Sequence, residues 1–469
     1  MARQDMMEGS NMGTSKTARE RIDSVLDAGS FMEMGERILA RNTDFNEGGN
    51  KVYSDGVITG YGTVDGRPVY IYSQDPHVLG GSMAEMHAGK ILRLYDMALK
   101  CGAPIIALMD SAGLRLNEGV DALDSYGKLY MAQTKAKGRI PQVAGIFGSC
   151  GGGGALSAAL CDFVFMEDQS NLFISPPATR TTDASRCDMA AVLSDYPAAR
   201  RLIGGGGTEE DVCLQIRGLI TYLPLSSEDP VPQAEEAVNL NRPAGALQGG
   251  STDPRLVISA IADPDSVLEL FRNDCGDAVF CFARFNGKTV GVTGNAGDRY
   301  LTAEACDAMA DFVDFCSAFG IPVLSLTDCP GFSADGCQEI KLPAAAAYLV
   351  SVWASAEIPR INLITGKAFG SAYAVMNSKG LGADFVFAWD TAQIQVMRGE
   401  DAVRILYAQE LSRTEDKLSF LAEKAAAYEK KSGTPAFLAR GCVDKVIAPA
   451  DTRKYVIGAL EMLSDKRTC

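Results

Sequence analysis

Two glycine-rich turns contain the residues of this chain best suited to chemistry. The first glycine turn reads Gly-Ser-Cys-Gly-Gly-Gly-Gly-Ala over residues 148–155, and the second reads Gly-Lys-Ala-Phe-Gly-Ser-Ala-Tyr over residues 366–373. Each follows a short apolar run and opens a predicted helix. Small residues let a ligand approach the backbone, and the first N–H groups of a helix lack intrahelical partners. Such N–H groups can stabilise an enolate oxygen, although close packing of a helix on a sheet is the alternative explanation for the glycines.

Two corners of the pattern Asp-x-x-Gly lie just past predicted buried strands. The first corner is Asp110–Gly113 and the second corner is Asp328–Gly331. Ligands of open α/β folds bind at the carboxyl ends of strands. A backbone N–H after each corner could therefore act as the second donor of an oxyanion hole. A tight turn capped by the Asp side chain is an equally good explanation of the same pattern.

The corners and the glycine turns belong to a long internal repeat. Four pairs of residues are each 218 positions apart: Asp110 and Asp328, Pro141 and Pro359, Gly148 and Gly366, and Gly152 and Gly370. Further matches occur upstream and downstream in the same order, such as Asp162–Phe165 with Asp384–Phe387. The repeat predicts two homologous domains, 1–222 and 256–469. Residues 223–255 are rich in Pro, Gly and acidic residues, which is typical of an inter-domain linker.

Each predicted domain has the pattern of an α/β fold. Short apolar runs predict buried strands at residues 105–110 and 143–147 in the first domain and at 361–365 in the second. Residues 83–100 and 303–319 have apolar positions at helical spacing and precede equivalent strands. We therefore expect two tandem α/β domains, each with a strand, a glycine turn and a helix in succession.

Composition excludes several classes of protein. The net charge is −15, with 59 acidic against 44 basic residues, so we expect no nucleic-acid binding. The chain has two His and no Cys-x-x-Cys pair, so we expect no metal site. No apolar run reaches the roughly 18 residues of a membrane span. The polar N-terminus does not resemble a signal peptide, and these features predict a cytoplasmic protein.

Six segments resemble the carboxyltransferase subunits of biotin-dependent acyl-CoA carboxylases and decarboxylases, such as the propionyl-CoA carboxylase β subunit. The segments are Gly80–Lys90, Asp110–Gly119, Tyr222–Pro230, Phe315–Phe332, Lys367–Met376 and Gly441–Arg453. The likeness extends from about residue 18 to the C-terminus. It implies two tandem crotonase-like domains in a homodimer or a hexamer. It also implies that the active site lies between the first domain of one protomer and the second domain of its partner.

The resemblance also implies the roles of individual residues. One oxyanion hole would hold the thioester carbonyl of a short acyl-CoA in the first domain, and the other would hold the ureido oxygen of biotin in the second. The implied catalytic donors are at Gly152, Gly153, Gly113 and Leu114 in the first domain, and at Ser371, Ala372, Gly331 and Phe332 in the second. The implied binding residues are Gly370, Tyr373, Arg115 and Gly81. Because carboxybiotin and the acyl-CoA enolate would perform the chemistry, a chain with only two His residues could still be an enzyme.

The partners follow from what the chain lacks. It has no Ala/Val-Met-Lys-Met segment to carry biotin and no ATP-grasp region. The resemblance therefore implies a separate biotin carboxyl carrier protein, together with a biotin carboxylase or a membrane decarboxylase subunit.

Some segments depart from the family pattern. Residues 333–350 lack a Gly-Gly and have Ala344 and Ala345 where relatives have an Arg-His pair. Residues 175–215 have little likeness, and Ala374 replaces an Asp. Two alternatives therefore stay open: a crotonase-type enzyme that acts on CoA esters without biotin, and a catalytically silent assembly subunit. The identity of the acyl-CoA and the choice between carboxylase and decarboxylase also stay open.

Overall fold

A computed structural model of the protein describes residues 16–41, 51–175, 203–234, 239–270, 278–295 and 297–466. In this part of the chain, residues 16–175 and 205–221 form a first compact unit and residues 222–466 form a second. The predicted linker packs on the second unit where it is described, for example through the Ala244 N–H, which donates to the Ala450 carbonyl at 2.9 Å. Most of the divergent segment 175–215 lies outside the described residues. None of the described helices is long and apolar enough to cross a membrane.

The first unit is built on a mixed sheet of eight strands. The strands are β1 Met32–Met34, β2 Val57–Val64, β3 Arg67–Gln74, β4 Ile105–Ser111, β5 Gln142–Gly151, β6 Phe163–Glu167, β7 Asn171–Phe173 and β8 Ile203–Gly207. Their order is β1-β2-β3-β4-β5-β6-β8, and β7 pairs with β5. Strands β3 to β6 run parallel, whereas β1, β2 and β3 are antiparallel. The helices are α1 Ala18–Val25, α2 Glu85–Cys101, α3 Gly119–Ala136, α4 Gly153–Ala159 and α5 Glu209–Tyr222.

The second unit repeats this sheet. Its strands are β9 Val267–Leu270, β10 Ala278–Phe285, β11 Lys288–Asn295, β12 Val323–Cys329, β13 Arg360–Phe369, β14 Phe385–Trp389, β15 Gln393–Gln395 and β16 Lys445–Ile447. Their order is β9-β10-β11-β12-β13-β14-β16, and β15 pairs with β13 as β7 does with β5. The predicted fold class, two tandem α/β repeats, is confirmed. The boundaries 1–222, 223–255 and 256–469 stay a prediction.

The described residues of the second unit form nine α-helices. The helices are α6 Pro254–Ile261, α7 Ala303–Ala318, α8 Gly336–Ser355, α9 Gly370–Val375, α10 Gly399–Leu406, α11 Ala408–Arg413, α12 Lys417–Ser432, α13 Thr434–Ala439 and α14 Thr452–Met462. Helix α7 confirms the helix predicted over 303–319, and α2 confirms most of the helix predicted over 83–100. Helices α10 to α13 follow β15 and precede β16. The divergent residues 333–350 form the start and middle of α8, which the Asp335 side chain caps.

An Asp–Arg ion pair recurs in both units and fixes a hairpin turn; it is partly exposed in the first unit and buried in the second. Asp27 accepts hydrogen bonds from the backbone N–H groups of Asp65 and Gly66, at 3.0 and 2.9 Å. These turn N–H groups, above all that of Gly66, lower the pKa of Asp27. Arg217 pairs with Asp27 at 3.0 Å and donates to the Val25 carbonyl at 2.6 Å. One Asp thereby joins the end of α1, the β2–β3 turn and α5.

The second unit contains an equivalent set of contacts, in which Asp263 and Arg453 each lie 236 positions after Asp27 and Arg217. Asp263 accepts from the N–H groups of Asn286 and Gly287, at 3.3 and 2.7 Å. Arg453 pairs with Asp263 at 2.6 Å and donates to the Ile261 carbonyl at 2.6 Å. Arg453 is fully buried. Removing one partner of such a pair leaves an uncompensated charge in the protein interior.

We expect Arg453→Ala to lower the free energy of unfolding of the second unit by about 3–5 kcal/mol, because Asp263 would stay buried without its cation. The two Trp residues of the chain, Trp353 and Trp389, both lie buried in this unit. Urea unfolding followed by Trp fluorescence therefore reports on it.

The matched control is Arg255→Ala in the same unit. Arg255 pairs with Glu269 at 2.6 Å, but its side chain is 46% exposed, and exposed ion pairs contribute little to stability. Equal urea midpoints for the two variants would contradict the role of the buried pair.

Candidate functional site

The two corner aspartates lie directly against the two glycine turns. Asp110 and Asp328 are almost fully buried at the ends of β4 and β12. A Cβ atom on Gly148 would overlap the Asp110 carboxylate, and a Cβ atom on Gly366 would overlap that of Asp328. Glycine is therefore required at both positions by close approach. Each carboxylate sets the distance between a corner and the turn that follows the neighbouring strand.

These carboxylates act as hydrogen-bond acceptors that hold backbone and side chains in place. Asp328 accepts from the N–H of Lys367 at 2.7 Å and from the N–H of Asp298 at 3.1 Å. Asp110 accepts from Arg21 at 2.9 Å, and Arg21 also pairs with Glu209 at 2.6 Å. Sequence reasoning missed Arg21, because its partners are 89 and 188 positions away.

Each corner leaves one backbone N–H without a partner. The Met83 N–H donates to the Gly113 carbonyl at 2.8 Å, and the Arg115 N–H donates to the Met83 carbonyl at 2.9 Å. These bonds flank Leu114, whose own N–H has no hydrogen-bond partner among the described residues. The predicted donor at Leu114 is thus unoccupied by the protein. Gly113 adopts φ +98°, and its N–H donates to the Ser111 hydroxyl at 3.1 Å.

The second corner has the same geometry. The Leu301 N–H donates to the Gly331 carbonyl at 2.9 Å, and the Ser333 N–H donates to the Leu301 carbonyl at 3.0 Å. Phe332 lies between them in the position of Leu114, and its N–H likewise has no partner in the described part of the chain. Gly331 adopts φ +142°.

The first glycine turn corrects one prediction. The Gly152 N–H donates to the Phe173 carbonyl at 2.8 Å, so it is not available to a ligand. Gly152 has φ +56° and ψ −119°, a conformation suited to glycine. The N–H of Gly153, the first residue of α4, has no partner within the described residues. Gly152 therefore shapes the turn, and Gly153 is the better candidate donor.

The second glycine turn places Ser371 and Ala372 in the first turn of α9. Their N–H groups precede the intrahelical bonds of this helix and have no other partner among the residues described. Gly370 adopts φ +61° and lies against the Val396 carbonyl oxygen, 3.3 Å from where a Cβ atom would be. Ser371 is exposed, whereas Ala372 is buried. The predicted residues Gly370, Ser371 and Ala372 thus lie together.

Tyr373 packs into the second unit. Its ring lies 5.2 Å from that of Phe437 in an edge-on arrangement, and it contacts the hydrophobic core. Burial raises the pKa of Tyr373 to about 12. These contacts favour a packing role over the predicted contact with a cofactor.

Arg115 and Gly81 support the first corner from inside the protein. The guanidinium of Arg115 is buried and uses its five N–H groups on Asp55, Ser82 and Glu118. The N–H of Gly81 donates to the Val78 carbonyl at 3.0 Å, and a Cβ atom on Gly81 would overlap the Asp110 carbonyl. This geometry argues against the predicted ligand contacts of both residues.

His87 and Glu118 are engaged by neighbouring groups and are poor candidates for a catalytic base. His87 is fully buried, contacts the Asp55 carbonyl at 2.9 Å and the Gln74 amide at 3.2 Å, and has its pKa lowered to about 3 by burial. Glu118 accepts from the Glu85 N–H at 3.0 Å and so caps α2. Among the described residues, no group of three or more His, Cys, Asp or Glu side chains is placed to hold a metal ion. The chemistry that this site favours is the stabilisation of an anionic oxygen by backbone N–H groups.

Comparison with known proteins agrees with this geometry. Residues 11–468 match the carboxyl transferase domain family. The propionyl-CoA carboxylase beta chain of Saccharopolyspora erythraea is 40% identical over 481 residues, covering 96% of this chain and 88% of the relative. The methylmalonyl-CoA decarboxylase subunit alpha of Propionigenium modestum is 37% identical over 468 residues, covering 96% of this chain and 90% of the relative.

A solved structure has the same fold. Transcarboxylase 12S, described as a hexamer with methylmalonyl-coenzyme A and methylmalonic acid bound, matches with a TM-score of 0.92 at 34% identity. The match covers 97% of this chain and 90% of the other. The structural match and the family match both extend over nearly the whole chain, and the chain therefore belongs to the carboxyl transferase domain family.

Proposed function

We propose that the first unit holds the thioester carbonyl of an acyl-CoA and the second unit holds the ureido carbonyl of biotin, while a carboxyl group passes from one to the other. The chain is a carboxyltransferase that acts between biotin and an acyl-CoA. The division of labour between the units is our proposal. The observation that carries it is that, in each unit, backbone N–H groups after the corner and at the glycine turn have no hydrogen-bond partner among the described residues.

In the first unit, the N–H groups of Leu114 and Gly153 would bind the thioester oxygen. Loss of the α-proton turns this oxygen into an enolate, and two preorganised donors stabilise the charge that develops there. The donors follow the neighbouring parallel strands β4 and β5, and Gly113 lies against the Gly151 carbonyl oxygen, 3.4 Å from where its Cβ would be. The corner and the turn are therefore in direct contact, and the protein fixes the donors before the substrate binds.

The second unit fits a cyclic urea. A ureido oxygen needs N–H donors, and Phe332, Ser371 and Ala372 offer backbone N–H groups that no protein acceptor uses in the described chain. Biotin, when bound, supplies the ring nitrogen that carries the carboxyl group. The protein's part is to orient the ring and to stabilise negative charge on its oxygen through these N–H groups.

The substrate and the partners are drawn from the relatives. We propose a short acyl-CoA of the propionyl or methylmalonyl type, because the names of the relatives specify these thioesters. We also propose that biotin arrives on a separate carrier protein, with a biotin carboxylase or a membrane decarboxylase as the further partner. A hexamer is the proposed assembly, as described for transcarboxylase 12S.

Exchange with free biotin tests this function. Purified protein is given methylmalonyl-CoA or malonyl-CoA, and biotin-dependent loss of CO2 is measured. We expect turnover that requires biotin. Turnover without biotin would replace the proposal by a crotonase-type enzyme, and a folded protein without any turnover would indicate a silent assembly subunit.

Gly152→Ala should lower kcat by about 100-fold or more, the usual cost of losing one oxyanion donor. The nearest atom to a Cβ at this position is 3.8 Å away, so space is not the obstacle. The backbone conformation of Gly152 is strained for alanine, and relaxing it would re-aim the N–H of Gly153.

Gly154→Ala is the matched control in the same turn. Gly154 lacks a positive φ, and its Cβ would meet Cys150 Sγ at 3.4 Å, an ordinary contact. If both alanine variants lost activity equally, donation by Gly153 would not explain the loss.

Ser371→Pro should lower kcat for the biotin-dependent reaction by about 100-fold, because proline removes the backbone N–H while fitting the first turn of a helix. Ser371→Ala keeps the N–H and removes only the hydroxyl, so its kcat should stay within a few fold of wild type. A large loss in Ser371→Ala would assign the effect to the hydroxyl.

A further inference from the structure

The segment before Leu301, which bonds to the second corner, carries large side chains, whereas the equivalent segment before Met83 in the first unit does not. Met83 and Leu301 are equivalent, since each bridges to the residue after its corner. The three residues before Met83 are Gly80, Gly81 and Ser82. The three before Leu301 are Asp298, Arg299 and Tyr300. We call residues 298–300 the strap.

Tyr300 covers the second corner. Its ring lies 3.6 Å from where a Cβ atom of Gly331 would be, one residue before the unpartnered N–H of Phe332. At the same position in the first corner, a Cβ atom on Gly113 would have only the backbone of Gly151 within 4 Å among the described residues. The equivalent side chain, Ser82, is buried and bonded to Arg115 and to the Leu79 carbonyl. Among the described residues, therefore, an aromatic ring lies against the second corner and none lies against the first in this way.

The ring of Tyr300 is fixed from the opposite side. Arg398 donates to the Tyr300 hydroxyl at 3.0 Å. Arg398 follows Val396 by two residues, and the Val396 carbonyl oxygen lies against Gly370 in the second glycine turn. The Tyr300–Arg398 hydrogen bond thus connects the corner side of the proposed hole with its glycine-turn side.

Asp298 attaches the strap to the same two elements. Its N–H donates to the Asp328 carboxylate at 3.1 Å, and its carboxylate pairs with Lys367 at 2.7 Å. Lys367 belongs to the second glycine turn. With both ends held, the ring of Tyr300 is presented in one place although it is 45% exposed. An exposed aromatic ring held beside free N–H donors suits a ligand that combines a carbonyl oxygen with a compact apolar body.

We propose that Tyr300 is the specificity-determining residue of the second unit, where its ring forms the wall against which the bicyclic urea of biotin packs. This inference rests on the proposed function, which places biotin in that unit. It explains how two repeats with the same backbone donors take different ligands. The first corner stays open for a long thioester, and the second is walled for a compact ring.

The test compares Tyr300→Ser, which copies the residue of the first unit, with Tyr300→Phe, which keeps the ring and loses the bond to Arg398. The assay is biotin-dependent decarboxylation with free biotin, and the KM for biotin and the KM for the acyl-CoA are measured separately. Tyr300→Ser should raise the KM for biotin by about tenfold, the scale expected for one aromatic contact. Its KM for the acyl-CoA should stay within about twofold. Tyr300→Phe should change the KM for biotin by less than about threefold.

Other outcomes overturn the inference. An unchanged or lower KM for biotin in Tyr300→Ser would show that biotin does not pack against this ring. Equal rises in both KM values would show that Tyr300 only supports the structure of the unit. If Tyr300→Phe raised the KM for biotin as much as Tyr300→Ser, the hydroxyl and its bond to Arg398 would be the determinant, and not the ring. Fluorescence of Trp353 and Trp389 verifies that the second unit stays folded. A wild-type protein without biotin-dependent turnover would contradict the proposed function as well. If the wild type is active and Tyr300→Ser leaves the KM for biotin unchanged, only this inference is contradicted.

Discussion

The contact between a buried aspartate and a glycine without a side chain determines the geometry of both proposed oxyanion holes. Asp110 against Gly148 and Asp328 against Gly366 fix the end of one strand to the turn after its neighbour. Burying a carboxylate is costly unless it is paired or hydrogen-bonded. The first unit supplies Arg21 as the cation, and the second supplies two backbone N–H groups. Without this contact, the corner donor and the turn donor would have no fixed separation.

Short helices at the glycine turns need further anchors, because helices of six or seven residues are not stable alone. In the second unit, Asn362 donates to the Met376 carbonyl at 2.9 Å, at the end of α9, and accepts from Thr327 at 2.9 Å. The equivalent positions in the first unit are apolar, Ala144 and Met109. There α4 is held by Tyr130, which donates to the Gly153 carbonyl at 2.9 Å. The repeats share a backbone and differ in how they brace it.

The repeat, the strands and the corners could be predicted from sequence because they are local patterns. The donors proposed at Leu114 and Phe332 are predicted from their place after a recognisable Asp-x-x-Gly. The ion pairs of Asp27 with Arg217 and of Asp263 with Arg453 were not predicted, since each joins residues about 190 positions apart. The partners of Gly152 and Arg115 were missed for the same reason. Their partners, Phe173 and Asp55, come from distant elements whose packing a linear pattern does not specify.

Backbone donors also explain how the site can keep its geometry while side chains around it diverge. The alanines that replace an Arg-His pair at Ala344 and Ala345 lie within α8, which forms a regular helix. Ala374 lies in α9 two residues after the proposed donor at Ala372, and replacing a side chain there removes no N–H. What such a site needs are the positive-φ glycines at the corner and the turn, together with an aspartate that lies against the first glycine of the turn, and this chain has both in each repeat. Side chains such as Tyr300 are then free to set which ligand each repeat accepts.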